Sequence, residues 1–377
     1  MPSLLWRDCS KPLCSSIHAL AVVVGLSFSV PAFCQEGLIL GAKVYRGGRN
    51  PQQLIGLARN LGVNTLFVGD ELAGSSEFRT QCAQAGLKYF LIIRTFNDPE
   101  AAAEDATLVS VDREGKPARR DGDVMICPSR SDFRQKKMQR IKAEIERLHP
   151  DGLALDYFRY FIYWEGIDPQ RGPEDFPAYC FDASCVREFL RSTKLRLCAG
   201  VPLDSMSVSR KLSDEIWLRH RDEWYRWRTR RMAENAREFT EFIHRNSPGL
   251  PIVLHAVPWS RNEFDGARQK IVGQDLRLLA PYFDYVSPME YSALTHRDAG
   301  WVAELNRRLR KEVPAAKLLP SIEVGPDGPE FPPLSPERYQ SDLSAARSAA
   351  AGVVLYHLEL LIGDPQKQAI TKRLFQP

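Results

Sequence analysis

The chain has 377 residues, 44% of them hydrophobic and 26% charged, a balance that supports a full buried core and excludes disorder, collagen and coiled coil. Its 51 Lys and Arg against 47 Asp and Glu leave a net charge of +4, too small and too interspersed to make nucleic acid the default partner. The length suits one large α/β barrel or two ordinary domains.

The first element is residues 19–30, ALAVVVGLSFSV, a run of 12 mostly apolar residues that falls short of the roughly 20 needed to span a bilayer. Arg7 and Lys11 precede it, and Pro31, Ala32, Phe33 and Cys34 follow, giving the charged, apolar and small-residue zones of a secretory signal. Cleavage is expected after Cys34. Lipid attachment at Cys34 is disfavoured because Phe33 is bulky where such sites take a small residue. The expectation is a signal over 1–34 and an exported chain over 35–377, secreted or periplasmic, with no stable membrane span.

Beyond the signal the cysteines are Cys82, Cys127, Cys180, Cys185 and Cys198. Cys180 and Cys185 flank a four-residue loop, and an exported protein could close a local disulfide there. No histidine lies between His149 and His220, so the cysteines read as structural and no metal or other cofactor is expected.

Apolar runs then alternate with helix-period stretches without a break that would mark a linker. Strands are predicted over 38–44, 64–68, 88–93, 152–157, 251–257, 282–288, 317–322 and 352–357, with helices over 50–61, 134–148, 226–245 and 335–350. Eight β–α units in one chain predict a (β/α)8 barrel, a TIM barrel in a single domain. An open doubly wound sheet would carry a Gly-rich phosphate turn after its first strand, whereas Tyr45-Arg46-Gly47-Gly48-Arg49-Asn50 lacks the G-x-G-x-x-G spacing. Long connections after strands four and seven are expected to wall a cleft at the C-terminal face.

In strand four Gly152, Ala154 and Asp156 share one parity and Leu153 and Leu155 the other, which points Asp156 inward at the rim. Packing has little use for a carboxylate there, although capping the next loop or pairing with Arg159 would also account for it. The run Asp151-Gly152-Leu153-Ala154-Leu155-Asp156-Tyr157-Phe158-Arg159-Tyr160 resembles the DGxxLDYxRY segment of bacterial glycoside-hydrolase-like barrels, a group of hypothetical glycosyl hydrolases. Cys127-Pro128-Ser129, Trp224-Tyr225-Arg226-Trp227-Arg228 and Val286-Ser287-Pro288-Met289-Glu290-Tyr291 are similar to that group's recurring segments. One departure is that Phe161-Ile162-Tyr163-Trp164-Glu165 stands where a Tyr-Pro often follows the aspartate motif. The resemblance implies a barrel acting on carbohydrate.

Glycoside hydrolysis needs two carboxyl groups flanking the scissile bond. The expected pair is Asp156 as nucleophile or base and Glu290, ending strand six in an apolar setting, as acid, with the carboxyls about 5–9.5 Å apart. Glu323 is the first substitute, followed by Glu165 and Glu359. Tyr157, Arg159, Tyr160, Trp164, His255, Trp259, Glu323 and Arg94 are the expected substrate contacts, because aromatic faces stack on sugar rings and polar tips take hydroxyls. The basic stretch 219–231 reads as a solvated helix, with Arg228 the residue to suspect if the substrate is anionic. The predicted function is an exported glycoside hydrolase acting on a poly- or oligosaccharide; the alternative is a carbohydrate-binding barrel without turnover.

Overall fold

Along most strands of the barrel, residues of one parity face the barrel axis and aliphatic residues of the other parity face the helices. In the computed structural model the eight strands are β1 (Ile39–Val44), β2 (Thr65–Val68), β3 (Lys88–Arg94), β4 (Gly152–Asp156), β5 (Ile252–Ala256), β6 (Tyr285–Glu290), β7 (Ser321–Glu323) and β8 (Gly352–Tyr356). They close in sequence order, β8 pairing with β1, and every neighbouring pair is parallel. The (β/α)8 expectation is met. The structure describes residues 37–46, 50–170, 172, 176–195, 210–314, 317–328 and 331–376; the predicted signal over 1–34 and Cys198 lie outside them.

Inside the barrel Phe67, Phe90, Ile92, Ala154, Val253, Leu319 and Val354 form one apolar plug, with the Phe67 and Phe90 rings 5.1 Å apart. On the outer wall Leu66, Leu91, Leu153, Leu155, Leu254, Val286, Ile322 and Leu355 join the main core beneath the helices. Parity therefore sorts the chemistry: Lys43, Arg94, Asp156, His255 and Glu323 lie on the inward register, and Glu290, in step with Val286, on the outward one.

The helices start where capping chemistry dictates. Asn50 accepts from the Gln52 amide at 2.9 Å to open the helix Pro51–Leu61, whose first residue is proline, and Gly62 at φ 82° ends it. The other predicted helices appear as Ser131–Leu148, Arg221–Asn246 and Pro336–Ala349. Strands six and seven begin later than predicted. Pro281 sits in a helical turn, Ala280–Tyr282, and Pro320, which has no N–H to donate, precedes β7.

Long connections follow β3, β4 and β7. The expected one after β4 contains the helices Ala183–Thr193 and Arg210–Arg219. A second, after β3, carries a two-stranded ribbon, Arg119–Arg120 against Asp123–Val124, which the sequence reading did not anticipate. The basic stretch 219–231 also differs from expectation at one residue. Arg228 is buried, donates to the Lys270 and Ile271 carbonyls at 2.8 and 2.9 Å, and lies 3.9 Å over the Tyr160 ring, so it serves the core and not the mouth.

Closure between β1 and β8 depends on close backbone approach. A Cβ on Gly352 would sit 2.2 Å from the Ile39 carbonyl oxygen, its partner across the seam. Gly352→Ala is expected to lower unfolding free energy by about 1–3 kcal/mol in urea titrations, whereas Gly37→Ala, with nothing within 4 Å, should leave it unchanged.

Candidate active site

At the C-terminal rim the inward residues line a cleft of about 650 Å³. A second hollow of about 450 Å³ shares Tyr157, Arg159, Glu165, Asp327 and Tyr356 with it, so the two are halves of one groove.

Asp156 sits at the centre of the first half, its side chain 16% exposed. Oδ1 accepts the Tyr157 backbone N–H at 2.7 Å, and Oδ2 lies 3.2 Å from Nδ1 of the fully buried His255. Burial alone would raise its pKa, but the His255 contact, the Lys43 ammonium and the Tyr157 amide outweigh it and hold the carboxyl well below the usual carboxylate range. His255 itself is held below its ordinary value by burial and by Lys43, against Asp156.

Lys43 is the residue that sequence reasoning missed. It rises from β1 into the same space, 1% exposed, and donates to Tyr291 Oη at 3.2 Å. Burial lowers its pKa to about 8, with Asp156 opposing the shift. Its signal was available, since a lysine in step with Ile39 and Gly41 inside an apolar strand has to point into the barrel.

Tyr157 adopts φ 50°, a left-handed conformation unusual for a bulky residue. That turn sends its ring into the cleft, where Oη donates to Asp123 Oδ2 at 2.8 Å. Arg94 pairs with the other Asp123 oxygen and lies 5.2 Å over the Tyr157 ring, so the ribbon is tied to the ends of β3 and β4. Arg159 lines both halves of the groove and donates to the Ile162 carbonyl at 2.8 Å. Trp164 packs 5.8 Å from Tyr291, which in turn stacks on Tyr356 at 4.4 Å. Trp164, Tyr291 and Tyr356 give the cleft its aromatic wall.

Two acids besides Asp156 face this groove with raised pKa values. Glu165, on the loop after Trp164, borders both halves; burial pushes it to about 7, opposed by Arg159 and reinforced by Asp156 and Asp123. Glu323 ends β7 with inward parity and is also raised to about 7 by burial. Its oxygens are engaged, however, by the backbone amides of Ala293 and Leu294 and by Ser292 Oγ. Glu323 anchors that loop.

Four expected site residues do not line the groove, among them His255, whose side chain is fully buried behind Asp156. Glu290 is fully buried behind the barrel wall, where Oε2 accepts from Asn306 on the helix Trp301–Leu309 at 2.8 Å. Asp156 and Glu290 thus lie on opposite faces of the wall and do not form the expected pair. Burial keeps Glu290 well above the usual carboxylate range. Tyr160 is turned into the core against Arg228, and Trp259 stacks on Phe176 at 5.8 Å beside Phe264. Glu359 is committed as well, accepting from the Tyr45 and Arg46 amides and from His357.

No protein-family profile matches the chain, and no curated protein sequence does. Solved structures match its fold. The glycoside hydrolase domain of PgaB (BpsB) from Bordetella bronchiseptica superposes with a TM-score of 0.66 at 13% identity, covering 89% of this chain and 98% of that one. A cold-adapted β-galactosidase from Rahnella sp. R3 gives 0.63 at 16% identity over 85% of this chain, which spans about 50% of that enzyme's length. A β-galactosidase from Halorubrum lacusprofundi gives 0.63 at 11% identity, over 89% and 57% of the two chains. Among the described residues no helix is long and apolar enough to cross a membrane.

Removing the charge of Asp156 should propagate to its neighbour. In Asp156→Asn the Lys43 ammonium loses the carboxylate charge that opposes the effect of burial, so its pKa is expected to fall below about 8 in an NMR titration of the Nζ resonance. An unchanged or higher value would contradict the coupling.

Proposed function

We propose that the chain is an exported glycoside hydrolase that cleaves a poly- or oligosaccharide, with Asp156 as the ionised carboxylate and Glu165 as the general acid. The observation that carries this reading is the divergence of two carboxyls bordering one cleft, one held well below the carboxylate range and the other raised to about 7. Environments that push two acids apart in this way allow one to stay charged while the other holds a transferable proton. The likeness to glycoside hydrolase structures supports the same reaction class.

In this mechanism a sugar ring lies against the Trp164, Tyr291 and Tyr356 wall, and Arg159 takes a hydroxyl. Glu165 gives its proton to the leaving glycosidic oxygen. Asp156, braced by Lys43 and His255, supplies the negative charge that an oxocarbenium-like transition state demands, either as nucleophile or by activating water. His255, fully buried with Nδ1 3.2 Å from Asp156 Oδ2, supports the carboxylate and does not reach the substrate. The N-terminal segment with the pattern of a secretory signal is the basis for export.

A hydrolysis screen against soluble polysaccharides, followed by kinetics on a responsive substrate, tests the assignment. Asp156→Asn should lose at least about 10²-fold in kcat with an unchanged melting temperature. Glu165→Gln should lose about 10²–10⁴-fold and recover partly on a substrate whose leaving group needs no proton. Glu290→Gln should keep near wild-type kcat; a collapse there, with Glu165→Gln active, would return the acid role to Glu290. Retained turnover in Asp156→Asn would overturn the mechanism, and glycan binding by a wild type that cleaves nothing would favour a binding module.

The pH profile follows from the same shifts. Glu165 is protonated below about 7 and loses its proton above it, whereas Asp156 is already ionised throughout this range. The kcat/KM of the wild type should therefore fall as pH rises through about 7, and this limb should vanish in Glu165→Gln.

A further inference from the structure

Away from the cleft, three thiols and a carboxylate converge from two loops. Cys127 belongs to the connection after β3, and Cys180, Asp182 and Cys185 to the connection after β4; the three cysteines are buried and Asp182 half-buried, and their ligand atoms lie within 4.8 Å of one another. We propose that Cys127, Cys180, Asp182 and Cys185 form a tetrahedral structural site for a divalent zinc ion.

The geometry suits that ion. A tetrahedron with Zn–S bonds of about 2.3 Å has edges of about 3.8 Å; the Cys127 and Cys185 sulfurs, 3.2 Å apart, and Cys180 Sγ, touching Asp182 Oδ2, sit slightly closer than that and would spread around a bound ion. The predicted Cys180–Cys185 disulfide is not formed: both are free thiols, with Cys185 turned toward Cys127 and Cys180 toward Asp182.

Asp182 divides its two oxygens between separate tasks. Oδ1 caps the helix Ala183–Thr193, accepting from the Ser184 and Cys185 amides at 2.8 and 3.1 Å, which leaves Oδ2 to face the sulfurs. Ser129 Oγ lies 3.2 Å from Cys185 Sγ, placed to donate to a thiolate, and the Cys127 amide is fixed by the Leu108 carbonyl at 2.9 Å. The guanidinium of buried Arg228 lies within electrostatic reach of Cys180 and Cys185. It offsets part of the −2 charge that three thiolates, one carboxylate and one zinc ion would carry.

Four protein ligands leave no open position, so the ion has a structural and not a hydrolytic role. It would bind with release of the thiol protons to solvent. Its effect is to staple the ribbon loop, which brings Asp123 to the cleft, to the loop that brings Tyr157, Arg159 and Glu165. The site stands whether or not the cleft cleaves glycans.

The test uses the full chain, reduced and freed of metal with a chelator, then titrated with Co(II) as a spectroscopic probe. One Co(II) per chain, with the intense visible bands of tetrahedral cobalt and a thiolate charge-transfer band, both abolished by Zn(II), is the expected result. Cys127→Ser should weaken binding at least tenfold and Cys82→Ala should not. If Cys127→Ser fails to fold, Asp182→Asn, which retains the capping oxygen, should still weaken binding and alter the visible spectrum. Protein that is folded and reduced yet binds neither metal, or native protein that lacks zinc and carries a Cys127–Cys185 disulfide, would overturn the site.

Discussion

A carboxylate that stays charged inside a barrel mouth needs positive charge and hydrogen bonds at close range, because burial favours its neutral form. Asp156 meets this requirement through three strands: its own, which supplies the Tyr157 amide; β5, which supplies His255; and β1, which supplies Lys43. The same arrangement costs Lys43 part of its basicity. β4 and β5 pair directly, whereas Lys43 on β1 reaches Asp156 only because the barrel closes and both point into it. The charge of Asp156 then acts outward, helping to keep Glu165 protonated toward neutral pH. Burial, with the charge of Asp156 added to it, thus sets the protonation of Glu165.

The rest of the architecture supports that arrangement from outside. Asp123 ties the ribbon to Arg94 and Tyr157, while Glu323 and Glu359 spend their oxygens on backbone amides of loops at the rim. Acids around this mouth therefore divide into those engaged in holding loops and those facing open space. The mechanistic assignment follows that division more than it follows strand number. Loops after β3 and β4 carry much of the groove, and the thiol cluster lies where they meet.

Strand count, strand order and the inward direction of Asp156 were legible because each depends on local alternation of apolar residues. The same rule applied to β6 puts Glu290 in step with Val286 and Pro288, on the helix side and away from Asp156; an apolar setting at a strand end does not by itself say which face of the wall an acid occupies. Lys43 is less legible because it is the single charge in an apolar strand, where the alternation of residues speaks first of packing. Tyr160 and Trp259 could not be separated from Tyr157 and Trp164 by composition, since only the path of the loop decides which ring meets the groove. Cys127 lies far from Cys180 and Cys185 in sequence, and their convergence depends on the docking of two long connections.

The central claim is that the groove holds two carboxyls in opposite protonation preferences. Carboxyl carbon NMR on protein labelled at Asp and Glu, with Asp156→Asn and Glu165→Gln used for assignment, reads both groups in one titration. The account predicts that Asp156 remains ionised until pH falls well below the usual carboxylate range, while Glu165 titrates near 7. Asp156 titrating at an ordinary or raised value, or Glu165 ionising with the surface acids, would contradict it.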